Sequence, residues 1–328
     1  MFDGGWLWVI PFDNRKGSTN AACSIGLSLD NARFPKPADK TPEEEWNDFL
    51  DRFPSIKEQF KKAKAIREWV STPRLQNSVT QGLGDRWIMT SGAHGSGFLD
   101  AMFSRGLANS TEMLNALAAR LMSALDDDDL RAERFEYCER LMKAHVARND
   151  ELVYGTYISF KAFDLWNAWY RLWAIGVGLG DYRLGAIYQK YLRTRDESVL
   201  PDAQEPPLGL FSSNHPGFGE LFAKSFAEML KFEHGQQSVK DTSDRIFQLV
   251  GAAPFHSPAL RLADPWSKVI RLSRPSVALR SFVWAMTQAP PEVREMGRAS
   301  VRALLLPKGM QAARASAGER KDRKTAVR

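Results

Sequence analysis

The sequence predicts an α+β fold, a sheet-containing N-terminal third followed by a mainly α-helical region. Three observations carry that reading. Aromatic and apolar residues gather at Trp6–Ile10 and Ala22–Leu29 in the pattern of strands. From Ser110 onward apolar residues recur at helical spacing, starting with Met113, Leu114, Leu117, Leu121 and Leu125. Between the two regimes lies Gly92-Ala93-His94-Gly95-Ser96-Gly97, three glycines within six residues, directly after the strand-like Arg86-Trp87-Ile88-Met89-Thr90.

Along the chain, the polar stretch Asp13–Asn20 with Gly17 turns the first strand back onto the second as a hairpin. Thr41-Pro42-Glu43-Glu44 reads as a helix start: a cap, a proline at the first position and acids in the first turn. That helix ends near Phe53-Pro54, and Ser55 is placed to cap a second short one. Further strands are expected at Ala65–Val70, Leu75–Val79 and Trp87–Thr90. A helix over Ser110–Ala124 is interrupted by the four acids Asp126–Asp129, which read as a solvated turn. A hard-cation loop would need ligands at alternating positions and a glycine. One long helical pattern then runs from Leu130 to about Ile175. More helices are expected near Tyr182–Arg193, Phe218–Lys231, Ser243–Leu249 and Pro291–Leu306, with Pro201 to Pro216 as an irregular connector.

A chain of 328 residues, 44% hydrophobic and 11% aromatic, has enough apolar surface for one large core or two modest ones. Its net charge of +6 does not indicate nucleic-acid binding. From Lys308 onward seven basic residues stand against Glu319 and Asp322, so the tail holds five of the six charges and the body is near neutral. The tail, residues 307–328, reads as a disordered basic end. Cys23 and Cys138 are far apart and not paired by spacing, which fits a reducing cytoplasm and argues against a zinc or dithiol site. His145, His215, His234 and His256 are scattered without ligand spacing, so no metal is expected. No basic leader precedes the first apolar run, and the longest uncharged apolar stretch, Leu172 to Gly180, is less than half of the roughly 20 residues that span a bilayer. The expectation is a cytoplasmic protein with no membrane segment.

The chemistry concentrates at the glycine segment. Strand, glycine loop and helix in that order let backbone amides close around an anionic ligand, and the helix N-terminus adds partial positive charge. The segment is G-x-x-G-x-G, which differs from the dinucleotide fingerprint G-x-G-x-x-G. It is not a nucleophile elbow either, because His94 and Phe98 stand where glycines would flank Ser96. A second cluster, Phe163, Trp166, Trp169, Tyr170 and Trp173, has helical spacing. It reads either as a core stripe or as the wall of an aromatic pocket.

Two motifs give these features a context. Trp6, Trp8, Ile10 and Pro11 form a W-x-W-x-I-P string, and Gly97 to Leu107 reads G-F-L-D-x-x-F-S-x-G-L. In this order and separation they resemble the flavin-dependent halogenase family, which includes the tryptophan halogenases and related FAD-dependent monooxygenase-like proteins. The resemblance covers about the first 180 residues well and the rest loosely. It corresponds to the later part of a longer enzyme, without the N-terminal G-x-G-x-x-G unit or the family's halogen-delivering lysine. It implies FAD as cofactor, a flavin reductase or a separately supplied N-terminal half as partner, and an aromatic small-molecule or carrier-bound substrate. Weak or no FAD binding is expected of this chain alone.

By that resemblance, Trp6, Trp8, Ile10 and Pro11 line the barrier between flavin and substrate, across which the oxidant passes as hypohalous acid. His94, Gly95, Ser96, Gly97, Phe98 and Asp100 lie at the flavin. His94 takes the position of the family's aspartate, where an imidazole can still hydrogen-bond a ribityl hydroxyl. Arg105-Gly106 matches the pair whose amides hold the halide, and arginine adds five donors and a permanent charge. Phe103 stands where the tryptophan-specific members carry glutamate, which points to the branch with phenolic or carrier-bound substrates. Trp166, Trp169, Tyr170 and Trp173 are the substrate-pocket candidates. The domains then read as a partial FAD-binding and substrate-sheet region over 1–125, a helical substrate-side region over 126–306, and the tail. Two other readings stand beside this one: a flavin oxidoreductase of the geranylgeranyl-reductase type, and a non-catalytic remnant or binding protein.

Overall fold

The computed structural model describes residues 1–13, 15–74, 76–90, 95–96, 105–204, 215–270 and 274–304. Strands β1 (Gly5–Pro11) and β2 (Cys23–Leu29) form the expected antiparallel hairpin, pairing Trp6 with Ser28, Trp8 with Gly26 and Ile10 with Ser24. Period-two alternation puts Trp6, Trp8 and Ile10 on one face and Leu7 and Val9 on the other. The second face gathers Leu7, Ile25 and Leu27 with Phe2 against helix α1 (Pro42–Arg52), where Trp46, Phe49 and Leu50 are buried. Helix α1 starts as its sequence predicts. The Thr41 hydroxyl accepts from the Glu44 amide at 3.3 Å, the Glu44 carboxylate accepts from the Thr41 amide at 2.8 Å, and Pro42 opens the helix. The short α2 (Pro54–Phe60) begins one residue earlier than its expected cap, with Phe53 rather than Ser55 at the cap position.

The rest of the N-terminal third carries less sheet than expected. Strand β3 (Asn77–Ser78) pairs with β6 (Gly95–Ser96), and β4 (Leu83–Gly84) pairs with β5 (Trp87–Ile88), so the described strands form three separate two-stranded ladders. Ala65–Val70 is not a strand. Ile66 and Val70 are more than four-fifths exposed, and Trp69 packs its ring on Trp46 of α1 at 5.9 Å rather than on a neighbouring strand.

The remainder is helical: α3 (Arg105–Asp126), α4 (Glu136–Ser159), α5 (Phe163–Thr194), α6 (Pro201–Gln204), α7 (Pro216–Glu233), α8 (Val239–Ala252), α9 (Pro275–Thr287) and α10 (Pro291–Leu304). The turn between α3 and α4 is the acidic run. Asp129 pairs with Arg131 at 2.9 Å and Asp127 with Arg134 at 2.5 Å, and the Arg131 guanidinium holds the Asp129 carboxyl at about 2. The long pattern expected from Leu130 to Ile175 is two helices, not one. The Ser159 hydroxyl donates to the Thr156 carbonyl at 2.6 Å, and the amides of Phe160, Lys161 and Ala162 bond three residues back, so the helix tightens and stops. The reversal packs α5 on α4. In the other direction, the stretches expected near 163–175 and 182–193 merge into one 32-residue helix, which ends where Arg195 turns left-handed at φ 52°. Helix α9 carries no counterpart in the sequence reading.

Helix α5 is the axis of the main core, packed by α4, α7, α8 and α10. Leu165, Trp169 and Leu172 from α5 meet Leu152, Phe222, Met229 and Ile246 with no exposed surface or almost none. Arg171 is buried on the same helix. Its Nη2 donates to Asn167 Oδ1 at 2.7 Å and to the Ser267 carbonyl, while Asn167 Nδ2 donates to the Pro265 carbonyl at 2.9 Å. Burial pulls the Arg171 guanidinium below the usual arginine value. This clasp fastens the segment after α8 onto the axis. Among the described residues no helix is long and apolar enough to cross a membrane.

Candidate functional site

The W-x-W-x-I-P strand presents an aromatic face that helix α4 engages at Trp6. The Trp6 and Trp8 rings lie 5.5 Å apart, tilted 51°. Trp6 Nε1 donates to Tyr157 Oη at 3.0 Å, and Tyr157 Oη lies 3.1 Å from Ser28 Oγ across the hairpin. Tyr157 is 8% exposed, so a buried phenol fixes the plane of the first indole and ties both strands to the helical region. Across from Trp8, Gly26 leaves the space its ring fills: a Cβ there would overlap the indole. An aromatic laid over a cross-strand glycine covers the backbone a side chain would otherwise shield. Ile10 continues the same face and is half exposed, as is Val9 on the opposite one, and Pro11 is exposed at the strand's end.

Tyr157 was not found by sequence reasoning, and no local signal marks it, because its partners are 129 and 151 residues away. Its role gives a direct expectation. Tyr157→Phe leaves Trp6 Nε1 and Ser28 Oγ without this shared partner, so unfolding free energy should fall by about 1–3 kcal/mol. The indole emission of Trp6 should broaden. An unchanged denaturation midpoint would mean that water replaces the phenol and the clamp carries nothing.

The glycine segment is described at Gly95 and Ser96, whose backbones pair with Ser78 and Asn77 in a strand lying against α4. His94, Gly97, Phe98 and Asp100 lie outside the described residues, as does the tail. Arg105 and Gly106 are the first two residues of the 22-residue α3. The halide-candidate pair therefore lies within the first described turn of α3. Among the described residues, apart from its chain neighbours and the helix's own backbone, nothing lies within 4 Å of where a Gly106 Cβ would sit.

The aromatic cluster of α5 divides between two faces. Trp169 is wholly buried, its Nε1 donating to the Leu152 carbonyl at 3.0 Å and to Thr156 Oγ1 at 3.2 Å, and its ring pressed on Gly155. It belongs to the core, not to a pocket wall. Phe163, Trp166, Tyr170 and Trp173 instead form a continuous ladder, with successive ring centroids 6.0, 5.1 and 5.0 Å apart. Trp166, Tyr170 and Trp173 are partly exposed and Phe163 is open to solvent, an apolar shelf on which a planar ligand can stack.

Elsewhere, an open cavity of about 590 Å³ is lined by Ala253, His256, Arg261, Asp264, Trp284 and Gln288 among others, and contains none of the residues singled out from sequence. His256 Nε2 lies 2.8 Å from the Val250 carbonyl, and burial pushes its imidazole below the ordinary histidine value. Among the described residues no group of three His, Cys, Asp or Glu side chains is placed to hold a metal.

An aromatic strand face, a glycine segment and a helix carrying the halide-candidate pair, in this order, are the features for which the sequence resembles the flavin-dependent halogenases. Comparison with known proteins agrees: by sequence and fold the chain is similar to halogenases of that kind. It is 39% identical over 306 residues to the monodechloroaminopyrrolnitrin halogenase PrnC of Pseudomonas fluorescens, covering 90% of this chain and 53% of the relative. It is 36% identical over 307 residues to the tetracycline 7-halogenase of Kitasatospora aureofaciens, covering 92% and 54%. The crystal structure of halogenase PltM matches with a TM-score of 0.76 at 32% identity, covering 82% of this chain and 54% of that one. A second PltM structure, in complex with phloroglucinol and FAD, matches equally. The chain thus spans about half the length of the relatives it matches. No protein-family model matches it.

Proposed function

We propose that this chain forms the substrate-side half of a flavin-dependent halogenase that acts on an electron-rich aromatic compound. The observation that carries the reading is the Trp6–Trp8 face, built on the family's strand and fixed in plane by Tyr157. The residues present fit one end of FAD. The Gly95-Ser96 strand and the first described turn of α3, with Arg105 and Gly106, are the segments that would meet its ring-bearing portion. The sequence carries no G-x-G-x-x-G to seat the adenine dinucleotide end. When bound, reduced flavin with dioxygen supplies the oxidising equivalent that converts halide to an electrophile.

This chain's own residues do the rest. His94 to Phe98 and Asp100 hold the flavin, and Arg105 with Gly106 concentrates halide. Trp6, Trp8, Ile10 and Pro11 wall off the flavin from the acceptor. Trp166, Tyr170 and Trp173 offer the shelf on which the acceptor ring lies. PrnC, the tetracycline halogenase and the phloroglucinol-bound PltM all carry names that point to aromatic substrates, which supports a phenolic or related acceptor here. A flavin reductase as the source of reduced cofactor follows from the same reading.

The test is a FAD titration of the purified chain, alone and co-expressed with the part of PrnC that it does not match. Binding is expected to be at least tenfold tighter in the second case, with chloride- or bromide-dependent modification of a phenolic acceptor on adding reduced flavin. Absence of flavin binding in both, by folded protein, would overturn the halogenase reading. It would favour a non-catalytic binding protein, which the histidine at position 94 and the arginine at 105 would then suit.

A further inference from the structure

Helix α3 has two unlike faces. Inward, Met113 and Ala116 are fully buried against α4, where Cys138 and Leu141 receive them, Ala124 is buried with Leu83 and Phe135, and Glu112 lies 3.2 Å from the buried His145. Outward, Leu107, Leu114, Leu121 and Leu125 are 81%, 55%, 38% and 56% exposed, with Met122 beside them at 63%. With Thr111 and Ala118, the leucines complete an alternating four- and three-residue step, 107-111-114-118-121-125, the seam by which helices pack on a partner. From Gly106 to Leu125 no exposed residue of α3 is charged; charge resumes at Asp126. A solvent-facing helix surface normally carries its charges there. This one is a strip about 30 Å long by helical rise, and it has the composition of an interface.

We propose that the outer face of α3 is the docking surface for the polypeptide that, in the relatives, makes up the half this chain does not match. The inference rests on the halogenase reading and says which surface completes it. Three observations commit the face to that occupant. The chain accounts for only 53–54% of PrnC and of the tetracycline halogenase, so a body of about its own size is to be placed against it. The strip starts one residue beyond the halide-candidate pair Arg105-Gly106, so whatever covers it lies beside that pair. Its seam is four leucines with one threonine, one alanine and no charge, which suits a permanent contact within one enzyme more than a transient polar one. The covering half is thereby positioned to complete the site beside Arg105-Gly106.

The test is co-expression of the tagged full chain with the unmatched part of PrnC, followed by affinity purification and sedimentation. A one-to-one complex is expected. The double variant Leu114→Arg with Leu121→Arg should reduce recovery of the second polypeptide at least tenfold. The same change at an exposed apolar residue of α9, Phe282→Arg, should not. Because both leucines are exposed, the variants' helical circular dichroism should match the parent's, which separates lost docking from misfolding. Complex formation unaffected by the leucine variants would overturn the proposal, as would no complex at all. A dimer of the chain alone that the same variants dissociate would give the face to a second copy and overturn it too. Association needs no flavin in this assay. A complex that binds no FAD would sink the halogenase reading and leave the docking surface standing, whereas flavin binding retained in the leucine variants would do the reverse.

Discussion

Trp169→Ala is expected to lower the unfolding free energy by about 3–5 kcal/mol, a large share of the 5–15 kcal/mol that holds a domain of ordinary stability. The indole has no exposed surface, packs on Phe222 at 5.6 Å and Phe226 at 6.1 Å, and sits in the space Gly155 leaves. Its Nε1 also occupies the Leu152 carbonyl in the turn before α4 ends. Removing it opens a cavity at the junction of α4, α5 and α7 that these three helices cannot all close. Gly155→Leu should do comparable damage from the other side by driving the ring out of its seat. Trp166→Ala, three positions before Trp169 but on the outer ladder, should cost only about 0.5–1.5 kcal/mol, the value of its stacking. Urea denaturation followed at 222 nm distinguishes the two tryptophans. Equal losses would mean that the ladder, not the Trp169 seat, organises the core.

That contrast shows where the sequence runs out. Spacing alone placed Trp166, Trp169, Tyr170 and Trp173 on one helix and predicted a shared stripe. Residues three and four apart are neighbours on a helix, so the division was not visible. It became visible only when the glycine at 155, on another helix, was seen beneath one ring and not the others. Local signals fared better. The hairpin, its alternating face and the capping box of α1 are written in residues at most about twenty positions apart, and the structure has all three. What failed was non-local. Ala65–Val70 has the residues of a strand and no partner to pair with. The end of α4 is set by the need to fold α5 back over Gly155, and nothing in the apolar pattern announces it. Tyr157 joins the candidate site from far along the chain. The aromatic strand itself was legible from its alternation, yet the plane of its indoles is decided by that tyrosine and by Gly26.

The second large effect concerns that plane. Gly26→Val should displace the Trp8 indole, because the new side chain claims the volume its ring now fills on the facing strand. The hairpin rests on α1 through its other face, Leu7, Ile25 and Leu27 against Trp46 and Phe49, and that face is untouched. Stability should therefore fall by only about 1–3 kcal/mol, the range for forcing extra carbons into a packed site. Catalysis is another matter. If the Trp6–Trp8 face walls flavin from acceptor, an indole moved by an ångström or more breaches the wall, and misplacement on that scale can cost on the order of 10²-fold in rate. The expected result in the complex with the second half is near-normal flavin binding with halogenation reduced at least tenfold and uncoupled reduced-flavin oxidation preserved. Trp8→Phe, which keeps an aromatic over Gly26, should retain most of the activity that Gly26→Val loses. Full activity in Gly26→Val, with Trp8 shown displaced by its fluorescence, would remove this face from the mechanism. The second indole would then be packing for a bare stretch of backbone and nothing more.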